Sequence, residues 1–177
     1  MIIYAPNTDP NADLLMARWW LRMRDDGDLE KTFLASAHTL GGFMALWADV
    51  KLMLELDDEG ITVAMWVQHF MHAGHLGLWV RSDKRHHLGT VRAVMRMYRY
   101  VFSTGLSAII GVTKQEHLLE EHERLGYKVL GRIPKLWDTE NDGWVVVLAA
   151  SDFYARWGEA EPTQLVSDPA HMNGAHP

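Results

Sequence analysis

The spacing of hydrophobic and polar residues predicts that the chain begins with two helices. Either Asn11 or Asp13 can cap the first helix, whose apolar residues lie over 14–21 and which ends in a run of charged residues over 22–26. A second helix is predicted over 28–40, where Glu30 in the first turn suits the positive helix end, and residues 43–48 can prolong it. The first quarter of the chain is therefore expected to be helical.

The pattern then changes to the two-residue period of β-strands. Alternation over 50–56, turn residues at 57–60 and a β-branched run after them predict a hairpin. A third strand is predicted over His75–Val80, after a break at Ala73–Gly74. Residues 60–80 lack Lys, Arg, Asp and Glu and are long enough to cross a bilayer. Their polar and glycine residues nevertheless favour buried strands over a membrane span.

The clearest helix in the sequence lies over 91–102, with apolar residues on one face and arginines on the other. After it a strand, a helix and two further strands are predicted over 107–112, 115–125, 127–133 and 143–150. The chain beyond Trp157 has prolines and no periodicity, which predicts one domain over 1–158 and a flexible tail over 159–177. The expected fold is a mixed α/β (α+β) protein with one central twisted sheet of about six to seven strands flanked by helices.

Composition narrows the range of functions. The chain has 177 residues, with 17 Lys and Arg against 23 Asp and Glu, and no cysteine. The absence of cysteine excludes disulfides, thiolate metal sites and a cysteine nucleophile. The acidic balance argues against binding along a nucleic-acid backbone. No signal-peptide pattern opens the sequence, so the expected location is the cytoplasm.

Two local motifs flank the predicted helices of the second half. The first is 80–90, Val-Arg-Ser-Asp-Lys-Arg-His-His-Leu-Gly-Thr, which leads into the long helix, and the second is 122–127, His-Glu-Arg-Leu-Gly-Tyr, which ends the next helix. In spacing and in the order of the surrounding elements they resemble the GNAT N-acyltransferase superfamily, which has Val-x-Pro-x-x-Arg-Gly-x-Gly-x-Gly and Tyr-x-x-x-Gly-Phe at these places. The resemblance spans about residues 50–153. It implies transfer of an acetyl or related acyl group from coenzyme A to an amine.

The resemblance implies a site for acetyl-CoA or another acyl-CoA. A helix N-terminus presents free backbone N–H groups and a partial positive charge to a pyrophosphate. The family's glycines are replaced here by His86, Leu88 and Thr90, whereas Lys84 and Arg85 bring positive charge. The residues at the family's cofactor-binding positions are Trp79, Val80, Arg85, His86, His87, Leu88, Gly89, Thr90 and Gln115.

The resemblance also implies where catalysis takes place. His122 stands where the family has the tyrosine that protonates the departing thiolate, a task that an imidazole can perform. A base must take a proton from the acceptor amine, and where many members use a carboxylate this chain has His75, with His72 in reserve. The family's fourth and fifth strands are expected to splay beyond Val80 and Val112, so that pantetheine can insert between them.

Other interpretations remain open at this point. The acceptor can be an amine-bearing small molecule or a protein, in a pocket walled by Trp66 or Trp137, and the sequence is compatible with an oligomer. The altered loop and the missing carboxylate also fit a catalytically inactive, GNAT-like interaction protein, of a kind that would suit a phage genome. His69, His72 and His75 can converge on a metal only if a bulge or turn reorients one of them, and no metal site is predicted.

Overall fold

The structure, a computed structural model, describes residues 1–4, 10–48 and 50–158. The tail predicted over 159–177 lies outside these residues. The described residues form seven strands and six α-helices, with short 3-10 turns between some of them. In chain order the elements are β1 (Ile2–Tyr4), α1 (Pro10–Asp25), α2 (Leu29–Thr32), α3 (Leu40–Ala45), β2 (Lys51–Asp57), β3 (Gly60–Phe70), β4 (Ala73–Val80), α4 (Leu88–Ser103), β5 (Ala108–Thr113), α5 (Leu119–Leu125), β6 (Lys128–Ile133), β7 (Gly143–Ala149) and α6 (Ala150–Trp157).

All seven strands form one sheet in the order β1-β2-β3-β4-β5-β7-β6. Every neighbouring pair is antiparallel except β4 and β5, which are parallel because α4 carries the chain back between them. This mixed sheet flanked by helices confirms the predicted fold class and strand number. The short strand β1 is absent from the sequence prediction, since three residues are too few to show a period.

Different helices cover the two faces of the sheet. On one face, α4 and α6 bury Tyr98, Phe102 and Phe153. On the other face, α1 and the segment 29–47 pack a group of rings that we name the aromatic layer, consisting of Trp19, Phe33, Phe43, Trp47, Trp66 and Trp79. Because side chains alternate along a strand, the two faces of β4 contribute to different layers.

The prediction of one continuous helix over 28–40 is wrong. The chain forms α2, a 3-10 turn at Ala35–His38 and then α3. A Cβ atom on Gly42 would lie 1.8 Å from the carbonyl oxygen of Ser36, so the 3-10 turn packs directly on α3. The hydroxyl of Thr39 accepts the N–H of Gly42 at 3.1 Å and caps α3. Three short elements therefore bring to the core the apolar residues whose spacing suggests one helix.

Two other boundaries differ from the prediction. The β3–β4 turn is formed by Met71 and His72, just before the break predicted at Ala73–Gly74, and Met71 has a φ of 54°. The helix predicted over 115–125 begins with a 3-10 turn before α5.

Helix α6 is absent from the prediction, and its Phe153 is fully buried. A period is hard to recognise in so short a helix at the end of the sheet.

The uncharged stretch over 60–80 forms the hairpin of β3 and β4. Its residues Val63, Met65 and Val67 are buried within the protein. Among the residues that the structure describes, no helix has the length and apolar character needed to cross a membrane.

Candidate active site

Strands β4 and β5 separate from each other soon after they begin. Their parallel pairing covers only Ala73–His75 of β4 and Ala108–Ile110 of β5. Beyond these residues β4 stays paired with β3 and β5 with β7, so neither has a strand partner on the side that faces the other. We name this opening the fork. It begins earlier than the predicted points at Val80 and Val112, because the pairing register of two distant strands leaves no local sequence pattern.

His75 lies where the fork opens, since it is the last residue of β4 that pairs with β5. Its exposed side chain is on the face of the aromatic layer, the face to which Trp79 also points. The ring has no hydrogen-bond partner within the described part of the chain. Desolvation by neighbouring atoms lowers the pKa of His75 below 6.5. The imidazole is therefore neutral at neutral pH and can accept a proton.

A cluster of charged residues holds the loop that follows β4. The guanidinium of Arg81, only 1% exposed, lies 2.6 Å from Asp57 Oδ2, 2.8 Å from Asp83 Oδ1 and 3.3 Å from Glu59 Oε2. Lys84 Nζ lies 3.3 Å from the same oxygen of Asp57. Hydrogen bonding to Arg81 lowers the pKa of Asp57 to about 2. Arg81 and Lys84 thus shape the loop, and Lys84 is not the free cation that the sequence suggests.

The N-terminus of α4 is open to solvent at the end of this loop. Arg85, His86 and His87 are exposed, and their side chains make no hydrogen bond or ion pair with the described residues. Helix α4 begins at Leu88 without a side-chain cap, so the N–H groups of its first turn have no intrahelical partner. A Cβ atom on Gly89 would meet nothing within 4 Å. An anion can therefore approach both the backbone and the Arg85 charge.

Other predicted cofactor positions offer backbone groups rather than side chains. The Trp79 side chain is buried in the aromatic layer and donates its N–H to Asp28 Oδ2 at 3.2 Å. Val80 packs against the core on the opposite face, and Thr90 is buried at the start of α4. Gln115 lies half-buried just beyond β5, with its backbone N–H turned back onto that strand.

His122 is fixed by its own helix. Its Nδ1–H donates to the carbonyl oxygen of Leu118 at 2.7 Å, and its ring meets Tyr127 edge-on at 5.3 Å. Because a carbonyl can only accept, Nδ1 carries a proton and Nε2 of the neutral ring is an acceptor. The ring can donate a proton from Nε2 only as the imidazolium. Gly126, with a φ of 104°, ends α5 as predicted.

A cavity of about 310 Å³ lies between the segment after α1 and the β6–β7 loop. Its walls include the rings of Phe33 and Trp137 and the charged residues Glu30, Lys114 and Asp138. Lys114 Nζ donates to the carbonyl oxygen of Glu30 at 3.0 Å. No sequence pattern points to Glu30 or Lys114 as a pair, because only the fold brings the two segments together.

Stacked rings connect this cavity to the fork. Phe33 stacks on Trp66 at a centroid distance of 5.1 Å. A Cβ atom on Gly77 would lie 2.1 Å from the Trp66 ring, so the indole rests on the backbone of β4 where the fork is open. Two tryptophans are expected to wall an acceptor pocket. Trp137 lines the cavity, whereas Trp66 stacks on Phe33, which lines it.

The three histidines at positions 69, 72 and 75 lie on separate elements. His69 is on β3, His72 is in the hairpin turn and His75 is on β4. Within residues 1–4, 10–48 and 50–158, no group of three or more His, Asp or Glu side chains is placed to hold a metal ion.

Known proteins resemble this chain in structure but not in sequence. No family model and no curated protein matches the sequence. Among solved structures, the ribosomal-protein-S5-alanine acetyltransferase from Vibrio fischeri superposes with a TM-score of 0.64 and 15% identity, covering 86% of this chain and 99% of that one. An aminoglycoside 6'-N-acetyltransferase complexed with coenzyme A gives 0.59 and 16%, covering 84% and 97%. A GCN5-related N-acetyltransferase from Kribbella flavida gives 0.59 and 14%, covering 83% and 97%. The chain therefore has the fold of the GNAT N-acetyltransferases, as its sequence motifs predicted.

Proposed function

We propose that the protein is an acyl-CoA-dependent N-acyltransferase that transfers an acetyl or related acyl group to an amine. The observation that carries this proposal is the fork between β4 and β5, which opens toward the uncapped N-terminus of α4. An extended ligand chain can lie in the fork like an added strand, and a pyrophosphate can bind at the N-terminus of α4. An acyl-CoA combines both groups in one molecule.

The loop residues and the strand residues bind different parts of the cosubstrate. The backbone N–H groups of residues 88–90 bind the pyrophosphate, and the exposed side chains of Arg85, His86 and His87 donate to its oxygens. The pantetheine chain lies along β4 over 76–80 and bonds to backbone groups, to which Trp79 and Val80 contribute. Gln115 contacts the same arm from the end of β5. Backbone recognition tolerates the loss of the family's glycines.

In the proposed acyl transfer, the imidazoles of His75 and His122 carry the two proton transfers. The neutral amine attacks the thioester carbonyl, the new C–N bond forms, and His75 takes the proton that the nitrogen loses. The C–S bond then breaks, and the departing thiolate takes a proton from Nε2 of the His122 imidazolium. His75 is the better base because His72 lies in the turn at the closed end of the fork.

Calorimetric titration with acetyl-CoA and with coenzyme A tests the cosubstrate site. We expect micromolar binding that weakens about tenfold in Arg85→Ala, since a charge-assisted contact to phosphate is lost. The matched control is Arg18→Ala, which removes an exposed arginine from α1, on the other face of the sheet. If the protein fails to bind either molecule at millimolar concentration, the proposed function is wrong. Binding without turnover on any amine would favour a non-catalytic interaction protein instead.

A further inference from the structure

A lysine of the protein itself lines the cavity beside the fork. Lys114 directly follows β5, one of the two strands of the fork. Its ammonium lies 3.0 Å from the carbonyl oxygen of Glu30 and 5.6 Å from the centre of the Trp137 ring. Hydrogen bonding to Asn141, together with the Lys114 charge, lowers the pKa of Asp138 in the same wall. A carbonyl, an aromatic face and a carboxylate are the groups that bind a primary ammonium.

The cavity remains acidic even with this lysine in place. Glu30, Asp138 and Glu140 line it with three carboxylates, against the single ammonium of Lys114. The Glu30 and Glu140 side chains are exposed and form no ion pair with the residues that the structure describes. Net negative charge concentrated in a cleft raises the local concentration of cations. A cationic ligand therefore fits the cavity better than an anionic one.

The reacting amine does not fit this site, because a nucleophilic amine must be neutral and the cavity stabilises the charged form. Resting on the acyl transfer proposed above, we infer that the cavity binds the second, non-reacting ammonium of an acceptor with at least two amino groups. Without an acceptor bound, the Lys114 ammonium takes the position of that second ammonium. The stacked rings of Phe33 and Trp66 lie between the cavity and β4 and offer an apolar surface to the acceptor's methylene groups.

Three amines of matched length test this inference. Putrescine carries two amino groups, butylamine lacks the second, and γ-aminobutyrate replaces it by a carboxylate. With acetyl-CoA as donor, we expect kcat/KM for putrescine to exceed that for butylamine by about tenfold and that for γ-aminobutyrate by more. A preference for γ-aminobutyrate would overturn the inference and make Lys114 a carboxylate-binding residue.

Variants at the cavity separate these two roles of Lys114. Lys114→Met removes the resident ammonium and keeps an unbranched stem, so putrescine should bind about three- to tenfold more tightly. Glu30→Gln and Glu140→Gln should each weaken putrescine binding by about threefold or more, because attraction to the ammonium is lost. Glu121→Gln, an exposed residue of α5 outside the cavity, is the matched control. Weaker putrescine binding in Lys114→Met would contradict the inference.

Calorimetry with putrescine and no acyl donor distinguishes failure of this inference from failure of the proposed function. Putrescine binding that tightens in Lys114→Met supports the cavity even if the protein neither binds nor consumes acetyl-CoA. Acetyl-CoA binding and transfer to other amines, without putrescine binding at millimolar concentration, would leave the acyltransferase intact and reject the diamine site.

Discussion

The buried guanidinium of Arg81 donates to both carboxylate oxygens of Asp57, at 3.1 and 2.6 Å. Arg81 is the first residue of the loop that leads into α4, and Asp57 is the last residue of β2. The pair therefore ties the proposed phosphate-binding loop to the hairpin on the far side of β3. A bidentate arginine–carboxylate pair fixes the relative orientation of the two side chains as well as the distance between them.

Asp57→Asn should destabilise the protein. We expect the free energy of unfolding to fall by about 2 kcal/mol, less than the roughly 3–5 kcal/mol of a fully stripped buried charge, because Asp83 and Glu59 still face Arg81. Urea denaturation measures the change. Asp58→Asn, at the exposed neighbouring turn residue, is the control and should change stability little. Equal stability of the two variants would show that the pair is energetically neutral.

The same pair predicts how stability depends on acid. The folded-state pKa of Asp57, about 2, lies below its ordinary value of 3.8, so the carboxylate stabilises the fold above about pH 4. That stabilisation is lost as the pH falls through the folded pKa. We expect the unfolding free energy of the wild type to decline more steeply between about pH 4 and 2 than that of Asp57→Asn. Parallel curves would contradict this assignment.

His75→Gln should remove the proposed base. We expect kcat to fall about 100-fold with little change in acyl-CoA affinity. In the wild type, activity should decline as the pH falls below 6.5, because the lowered pKa of His75 places its protonation there, and the variant should lack this decline. His69→Gln, on the adjacent strand, is the matched control. Retention of the acid limb in His75→Gln would assign it to another group.

The pH dependence of the unfolding free energy provides a second test of the lowered pKa of His75. Its folded pKa is below 6.5, so the unfolded chain takes up this proton first. The free energy of unfolding should therefore decrease as the pH falls from 6.5 through the folded pKa. His75→Gln should show a smaller decrease over the same range in urea denaturation. An unchanged slope would argue against a desolvated imidazole at this position.

Two substitutions of His122 separate chemistry from structure. Asparagine can still donate to the Leu118 carbonyl but has no titratable group, whereas phenylalanine has neither property. If the imidazolium protonates the thiolate, both variants should lose kcat by about 100-fold while coenzyme A affinity stays the same. An active His122→Asn with an inactive His122→Phe would assign the histidine a structural role only. His117→Asn, at an exposed position before α5, is the control.

Gly77→Ala should strain the contact between β4 and the aromatic layer. The new methyl group would lie 2.1 Å from the Trp66 ring, so the ring must move, at a cost of about 1–3 kcal/mol in unfolding free energy. Trp66→Phe should reduce the cost, because the smaller ring leaves room, and a double-mutant cycle measures this coupling. At Gly89, which has open space around it, alanine should be neutral or stabilising by up to about 1 kcal/mol.

Local patterns predicted the parts of the fold that local patterns determine. The amphipathic helix expected over 91–102 and the turn at 57–60 both appear, since burial on one face and turn chemistry are properties of neighbouring residues. The helix expected over 28–40 fails because apolar spacing does not show that Gly42 lets the chain fold back on itself. The meeting of Glu30 with Lys114 depends on tertiary packing, so no pattern in either segment announces it.

The brief pairing of β4 with β5 leaves two strand edges unpaired inside one sheet. Strands β1–β4 lie on one side of this gap and β5–β7 on the other, and three residue pairs join them edge to edge. One hydrophobic core contains residues from both sides, so side-chain packing holds the two halves together where the backbone pairing ends. A cosubstrate seated in the fork would supply backbone partners to both edges, so that its binding would also complete the sheet.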